Sequence, residues 1–438
     1  MPYIANTPQN LQAMLERIGV KDFSELISDI PPEIRLQSKL DLPAALSEME
    51  AVRRVETLAR ANQPAAALVS FLGGGAYDHY IPAAVDHILS RPEFYTAYTP
   101  YQAEVSQGTL QVIWEFQSLI SGLYGMEVAN ASMYDGATAL AEAGMMACNH
   151  TRRKKLLVSR AVHPAYRAVL QTYCRNQGIE VAELPISGGV SDLEAAKAAL
   201  GSDSAGVLLQ HPNFLGHLEP VEELAALAHG QGALLAVSAD PISLAVLKSP
   251  GECGADIATG EGQPLGIPMG LGGPYLGLLA ARGGLIRLMP GRIVGLTTDA
   301  AGHEGLVLTM QAREQHIRRE KATSNICSNQ ALCALAATVY LSLMGRDGLR
   351  QVAELCLQKS HYLAERLKPA FGAPFFKEFV HKPKEEPAKS LERLRARGIL
   401  GGIDLGRHYP ELSGHLLIAV TEKRTREELD QLAILLSQ

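Results

Sequence analysis

The sequence predicts an α/β protein with a central, mostly parallel sheet, an N-terminal helical arm and a smaller C-terminal α+β domain. Three observations predict it. Short runs that are apolar throughout alternate with helical segments between about residues 66 and 310; a polar, aromatic-poor helical stretch precedes them; a weaker α+β pattern follows Glu314. Strands apolar on both faces belong to sheets covered on both sides by crossover helices. The expected division is therefore 1–65 for the arm, 66–312 for the large domain, and 313–438 for linking helices and the small domain.

The elements follow in order. Thr7 before Pro8 is an N-cap and first-turn signal, Pro31-Pro32 stops a second helical piece, and Pro43 to Asn62 reads as a long helix ended by Pro64. Without a sheet and with few aromatics this arm buries little by itself, so it is expected to wrap another surface. Predicted strands follow at Leu156–Ser159, Ile179–Leu184, Gly206–Gln210, Ala233–Val237 and Asp256–Thr259. Between them Pro164–Gln177, Ser191–Leu200 and Val221–Gln231 carry apolar residues at helical spacing. After Glu314 come helices over Ser328–Leu343 and Gly348–Leu367, strands at Phe375–Val380, Gly402–Leu405 and Leu416–Val420, and a capped helix starting near Thr425. The charged stretch His381–Ser390 reads as a loop, and no internal repeat is present.

Composition excludes several functions. The chain has 438 residues, 47% hydrophobic and 20% charged, with a net charge of −6 spread along it, so no basic stripe matches nucleic acid. The one basic cluster, Arg152 to Lys155, directly precedes the apolar Leu156-Leu157-Val158 and reads as a solvated helix end. Neither a signal-peptide pattern nor an apolar run of roughly 20 residues occurs, which predicts an unexported, cytoplasmic chain. Six cysteines form no CxxC pair and no zinc spacing, so reduced thiols are expected. Asn130 and Asn149 sit in glycosylation-type triplets that matter only for an exported protein. Gly260-Glu261-Gly262 is followed by Leu265, and Gly270-Leu271-Gly272 by Tyr275, so neither completes a dinucleotide fingerprint; P-loop, GxSxG and HExxH patterns are absent too.

What remains is a set of residues at the ends of the predicted strands, where open α/β sheets bind ligands. Asp135-Gly136-Ala137-Thr138 opens a helix whose free N–H groups and Thr138 hydroxyl suit a phosphate; a plain helix cap explains the same residues, and both readings stay open. His163 follows the first predicted strand, where it can stack on a flat ring or serve structurally. Asp240-Pro241 follows the fourth predicted strand, as a carboxylate for a protonated ring nitrogen or as a loop start. Finally, GADIATGEGQPLGIPMGLGGP (Gly254 to Pro274) is a strand running into a glycine-rich turn where a cofactor-binding lysine is expected. The chain has Gln263 there, and no lysine between Lys248 and Lys321.

A second unusual segment is FYTAYTPYQAEVSQGTL, from Phe94 to Leu110. Its aromatics Phe94, Tyr95, Tyr98 and Tyr101 interleave with Thr96, Thr99, Gln102, Glu104, Ser106 and Gln107 in a chain that is 5% aromatic. Core strands are less polar and solvated loops less aromatic, which favours a buried polar surface, either a ligand pocket or a subunit interface. A hydrogen-bonded turn around Pro100 is the structural alternative.

The order of phosphate-binding helix, stacking histidine, aspartate and lysine-position strand end resembles the pyridoxal-phosphate enzymes of the aspartate-aminotransferase-like fold, PLP-dependent transferase fold type I. The aromatic segment, ANASMYDGATALAEA (Ala129–Ala143), REKATSNICSNQAL (Arg319–Leu332), the arm and the Gly254–Pro274 run together closely resemble the P-protein of the glycine cleavage system, over most of the chain. That family contains single long chains with two homologous halves and pairs of separate subunits. Gln263 in place of the Schiff-base lysine resembles the N-terminal type subunit.

The resemblance implies a pyridoxal-phosphate-dependent glycine decarboxylase, an oxidoreductase of glycine catabolism, active only as a complex. Pyridoxal 5'-phosphate would be bound covalently by a lysine-bearing subunit 2 (beta), in an α2β2 or αβ assembly, and not by this chain. Carbon dioxide leaves glycine, and the aminomethyl group passes to the lipoyl arm of the H-protein. It also implies that this chain walls its partner's pocket with Tyr95 to Gln107. Glu104 would hold or relay a proton there, and Tyr95, Tyr98 and Tyr101 would shape the entry, with Thr96, Gln102, Ser106, Gln107 and Tyr134 alongside. Lys321, Thr323, Ser324 and Asn325 are expected to begin a helix, by interface or phosphate contact or by capping. Thr138, His163, Asp240 and Gln263 are a vestigial cofactor site, expected to be empty or filled by side chains. Two rivals are an independent pyridoxal-phosphate enzyme using another lysine, and a catalytically silent scaffold or regulatory homologue.

Overall fold

The computed structural model describes residues 5–36, 38, 40–270 and 273–437. Met1–Ile4 of the arm and Leu271-Gly272 of the glycine-rich run lie outside the described residues. The chain divides into two compact units, Met1–Gln63 and Pro64–Gln438.

The first unit is helical because its caps are. Thr7 and Asn10 form a reciprocal capping box that starts the helix Pro8–Ile18, and Gly19, at φ 90°, ends it in the left-handed region. Ser47 and Glu50 do the same for the helix Glu48–Arg60.

The second unit is built on a seven-stranded sheet. Its order is Val128–Ala129, Gly277–Ala281, Ile257–Glu261, Leu234–Ala239, Ser204–His211, Lys155–Ser159, Glu180–Leu184. The last five are mutually parallel, while Gly277–Ala281 runs antiparallel to both its neighbours. Alternate strand residues enter opposite cores. Leu157, Val207, Leu235 and Val237 pack on one face with Leu224 and Ala228 of the helix Val221–Gly230. Leu156, Val158, Leu208 and Ile257 pack on the other with Leu140 and Ala143 of the helix Gly136–Thr151. The five parallel strands match the expected ones to within a few residues.

Other parts differ from expectation. An unforeseen helix, Gln107–Tyr124, starts inside the aromatic segment and carries a hairpin, Ile293–Thr298 with Glu304–Thr309. Two side-chain amides hold the hairpin down: Gln117 exchanges both hydrogen bonds with the Val294 backbone, and Gln107 does so with Leu306. The two helices predicted after Ser328 are both present, by contrast, within Ala331–Leu367, and meet at a break at Gly345, whose φ of 59° is costly for any residue with a Cβ. The segment expected to begin with Lys321 as a helix is instead irregular from Ala322 to Gln330, following a single 3₁₀ turn, Arg319–Lys321. Ser324 spends its hydroxyl on Glu142 and on the Ile326 N–H rather than on a helix cap.

The C-terminal part is a three-stranded antiparallel sheet, Glu378–His381, Leu416–Ala419 and Ile403–Asp404. Val69–Ser70 adds parallel to Ile399–Leu400, linking the start of this unit to its end. The charged stretch 381–390 is only partly a loop. Pro387 occupies the first turn of the helix Pro387–Arg395, where its missing N–H costs nothing, and Leu394 is buried beneath it. Among the described residues, no helix is long and apolar enough to cross a membrane, and all six cysteines are free.

Candidate active site

The carboxyl ends of the parallel strands converge on one small cavity. Its volume is about 30 Å³, room for about two water molecules, and it is lined by Tyr77, Tyr166, Gln210, Asp240, Glu261, Lys377 and Glu378 among others. Asp240 directly follows the strand Leu234–Ala239, and Glu261 ends the strand Ile257–Glu261. Lys377 and Glu378 come from the start of the strand Glu378–His381, a long way along the chain.

Gln263 is buried and held at both ends of its amide. Its Oε1 accepts from the Tyr77 N–H at 2.8 Å; its Nε2 donates to the Tyr77 carbonyl at 3.1 Å and to the Ile267 carbonyl at 2.8 Å. This anchors the loop around Tyr77 over the cavity. The Tyr77 hydroxyl in turn donates to Glu378 Oε2 at 2.7 Å, and the Gly74 N–H donates to Glu378 Oε1 at 2.7 Å.

Asp240 is not free either. The Lys377 ammonium lies 2.6 Å from its Oδ2, both side chains being at most 10% exposed, and sits 3.6 Å from the centroid of the Tyr77 ring. The same ammonium donates to His79 Nε2 at 3.1 Å, which leaves the His79 proton on Nδ1, facing Glu422 Oε2 at 2.6 Å. Burial, reinforced by Lys377, lowers the affinity of His79 for a second proton.

At the amino end of the helix Gly136–Thr151 the N–H groups of Gly136, Thr138 and Ala139 are already engaged, the first by Glu261 and the other two by Asp135. Glu261 accepts from the N–H groups of Gly136 (3.0 Å), Leu276 (2.9 Å) and Gln263 (3.1 Å). Burial pushes its carboxyl up to about 7, opposed by those hydrogen bonds. Thr138 forms a capping box with Asp135, both its N–H and its hydroxyl turned inward to that residue. His163 is half-buried and lowered to about 4 by desolvation; its ring stacks on Tyr166 at 4.8 Å and meets Phe214 edge-on at 4.7 Å. Its Nδ1 accepts from the Ala165 N–H, so it also caps its own helix.

The structure therefore brings His163, Asp240, Gln263 and the Thr138 helix to one place. It puts the other expected residues elsewhere. Tyr95, Thr96, Tyr98, Tyr101, Gln102 and Glu104 lie on the surface of this chain, Tyr98 being 84% exposed, so they form no pocket within it. Pro92 opens the short helix Pro92–Tyr95, and Ala103–Val105 is a 3₁₀ turn, so the segment forms no strand. A groove of about 180 Å³ runs between Tyr95, Tyr98, Pro100 and the start of the helix Ala331–Leu367. Ser106 precedes the helix Gln107–Tyr124 without capping it through its side chain. Gln107 is committed to the hairpin, Thr96 bonds back to Pro92, and Tyr101 takes a long 3.4 Å contact from Arg292. Lys321, Thr323, Ser324 and Asn325 line a separate, polar depression of about 560 Å³ with Glu142 and Arg152. Tyr134 receives the Cys327 N–H at 3.3 Å.

Sequence reasoning missed Tyr77, Tyr166, Glu261, Lys377 and Glu378. One signal was available: Lys377-Glu378 is a charged pair inside the apolar run Phe375–Val380, and charges so placed are buried only when partnered.

The parallel sheet, its ligand edge and the C-terminal α+β part define the architecture of fold type I pyridoxal-phosphate enzymes. Sphingosine-1-phosphate lyase of Burkholderia pseudomallei shares that fold at a TM-score of 0.64 and 14% identity, over 93% of each chain. The model of the glycine cleavage system P-protein family matches residues 1–436, and the chain belongs to that family. A probable glycine dehydrogenase (decarboxylating) subunit 1 of Moorella thermoacetica is 57% identical over 99% of this chain and 98% of its own. A crystal structure of glycine decarboxylase (P-protein) of the glycine cleavage system in inhibitor-bound form superposes at a TM-score of 0.90, with 44% identity, covering 100% of this chain and 99% of that one.

Proposed function

We propose that the chain is the lysine-free subunit of a two-subunit glycine decarboxylase. It would work with a lysine-bearing partner on glycine and on the lipoyl arm of the H-protein. The observation that carries this reading is Gln263: in a family of pyridoxal-phosphate enzymes, the position expected to hold the cofactor carries an amide that cannot form an imine and is fully engaged with Tyr77 and Ile267.

Bound pyridoxal phosphate supplies an electron sink for decarboxylation. This chain's cavity does not fit it. The space is about 30 Å³, the one lysine lining it is paired with Asp240, and of the helix donors the Gly136 N–H is taken by Glu261 and the Thr138 N–H by Asp135. The chemistry is therefore assigned to the partner's pocket, and this chain's contribution to its surface.

That surface is the segment Tyr95–Gln107. Tyr95, Tyr98 and Tyr101 present exposed aromatic rings, each amphipathic and with few rotatable bonds, the composition of an interface anchor. Glu104 stands on the 3₁₀ turn Ala103–Val105 with its carboxylate in solvent, placed to hold a proton once a partner covers it. Lys321 and Thr323 offer a cation and a hydroxyl at the second depression for the same assembly.

Co-expression with the lysine-bearing subunit tests the reading. Glycine-dependent carbon dioxide release is expected from the complex and from neither chain alone; turnover by this chain alone would overturn it.

A further inference from the structure

Three features of the closed cavity have the chemistry of pyridoxal phosphate itself. A phosphate at a helix N-terminus accepts backbone N–H groups as an anion; Glu261 accepts the Gly136 N–H there as a carboxylate. A protonated ring nitrogen donates to an aspartate; Lys377 does so to Asp240 at 2.6 Å. A pyridine ring is sandwiched against an aromatic side chain; the Tyr166 ring lies on His163 at 4.8 Å with an interplanar angle of 24°. Tyr166, Glu261 and Lys377 line the one cavity, and the first two meet at Gly136, where a Cβ would lie 2.3 Å from the Tyr166 hydroxyl and 3.2 Å from Glu261 Cβ.

We propose that Tyr166, Lys377 and Glu261 form an internal replica of the cofactor, supplying the ring, the cation and the anion that the surrounding fold was shaped to hold. The physical need is clear. Asp240 and the helix N-terminus sit at the heart of the fold with little access to water, and an unpaired buried charge or N–H group destabilises by kilocalories. Once no cofactor neutralises them, side chains must. Gln263 completes the closure by fixing the Tyr77 loop, whose ring covers the Lys377 ammonium at 3.6 Å. The cavity is thus a structural unit of charge balance and a lock against the cofactor, and its three parts come from three separate stretches of the chain.

The inference goes beyond the proposed role of the chain in the complex, and its test does not use turnover. Pyridoxamine 5'-phosphate is the probe, because it has the ring and phosphate but no aldehyde to react with surface lysines. The full-length wild-type chain is expected to show no saturable binding by calorimetry and no change in Tm. The Tyr166→Ala/Lys377→Met/Glu261→Ala variant, checked for folding by circular dichroism, is expected to bind the probe saturably and to gain several degrees in Tm. As a milder second test, Tyr166→Ala alone should lose stability and be restabilised by phenol, which fills the vacated ring space as small aromatics fill apolar cavities. Saturable binding of the probe by the wild type would overturn the proposal. So would a folded triple variant that binds nothing, or a folded Tyr166→Ala chain indifferent to phenol.

Discussion

Gln263 exchanges two hydrogen bonds with one residue, Tyr77, taking its N–H at 2.8 Å and giving to its carbonyl at 3.1 Å. Only a side chain with both an acceptor and a donor can do this. Lysine has three donors and no acceptor. Gln263→Lys and Gln263→Leu are therefore expected to lower the stability of the chain by roughly 1–3 kcal/mol, the cost of a buried polar group left unmade. Chemical denaturation of the purified chain measures it. Equal stability of Gln263→Lys would mean that the Tyr77 loop does not depend on the amide.

Lys377→Met leaves Asp240 buried without a cation and is expected to cost about 3–5 kcal/mol. Adding Asp240→Leu removes the second charge and should recover much of that loss. A double-mutant cycle read from urea midpoints decides; additive losses would show that the two side chains do not act as a pair.

Glu142 predicts a pH dependence. Burial pushes its carboxyl from 4.5 up to about 7, while the hydrogen bond from Ser324 opposes the shift. Because the folded pKa lies above the unfolded one, the folded state holds a proton that the unfolded state has released between about pH 4.5 and 7. The contribution of this group is complete below that window and is lost as the pH rises through it. Stability curves of wild type and Glu142→Gln should therefore converge in shape above pH 7 and differ in slope between 5 and 7, with the variant flatter. Parallel curves throughout would remove Glu142 from the account.

Tyr95→Ser and Tyr98→Ser alter exposed side chains, so the chain alone should change in stability by no more than about 0.5 kcal/mol. Binding to the lysine-bearing subunit is a different matter. If these rings are interface anchors, each substitution should weaken it by about 2 kcal/mol, near 30-fold in Kd, by surface plasmon resonance. Unchanged affinity together with unchanged glycine turnover in the complex would rule out the pocket-wall reading. Glu104→Gln, with full affinity and full turnover, would do the same for the proton role.

The parallel strands were readable because burial on both faces leaves a continuous apolar signature, as in Leu156-Leu157-Val158 and Gly206 to Leu209. The antiparallel strand Gly277–Ala281 was not, since it emerges from a glycine-rich turn without polar punctuation. The helix Gln107–Tyr124 was hidden because its first turn carries the polar end of the aromatic segment. Gln263 stood out by its position alone. Its partners did not: Tyr77, Lys377 and Glu261 meet only through long-range topology, and local sequence says nothing of which charges a fold will bring together. Tyr98 is exposed in this chain, so of the two readings of the polar aromatic segment, a ligand pocket within the chain is not formed, and a subunit interface is the one left to test.

The central claim is that this chain does not carry the cofactor lysine and that its partner does. The most direct measurement is borohydride reduction of the active complex formed with the lysine-bearing subunit, followed by peptide mapping of both chains. The account predicts one stoichiometric phosphopyridoxyl-lysine, in the partner, and none in this chain, Lys377 included. A stoichiometric label on any lysine of this chain would contradict it.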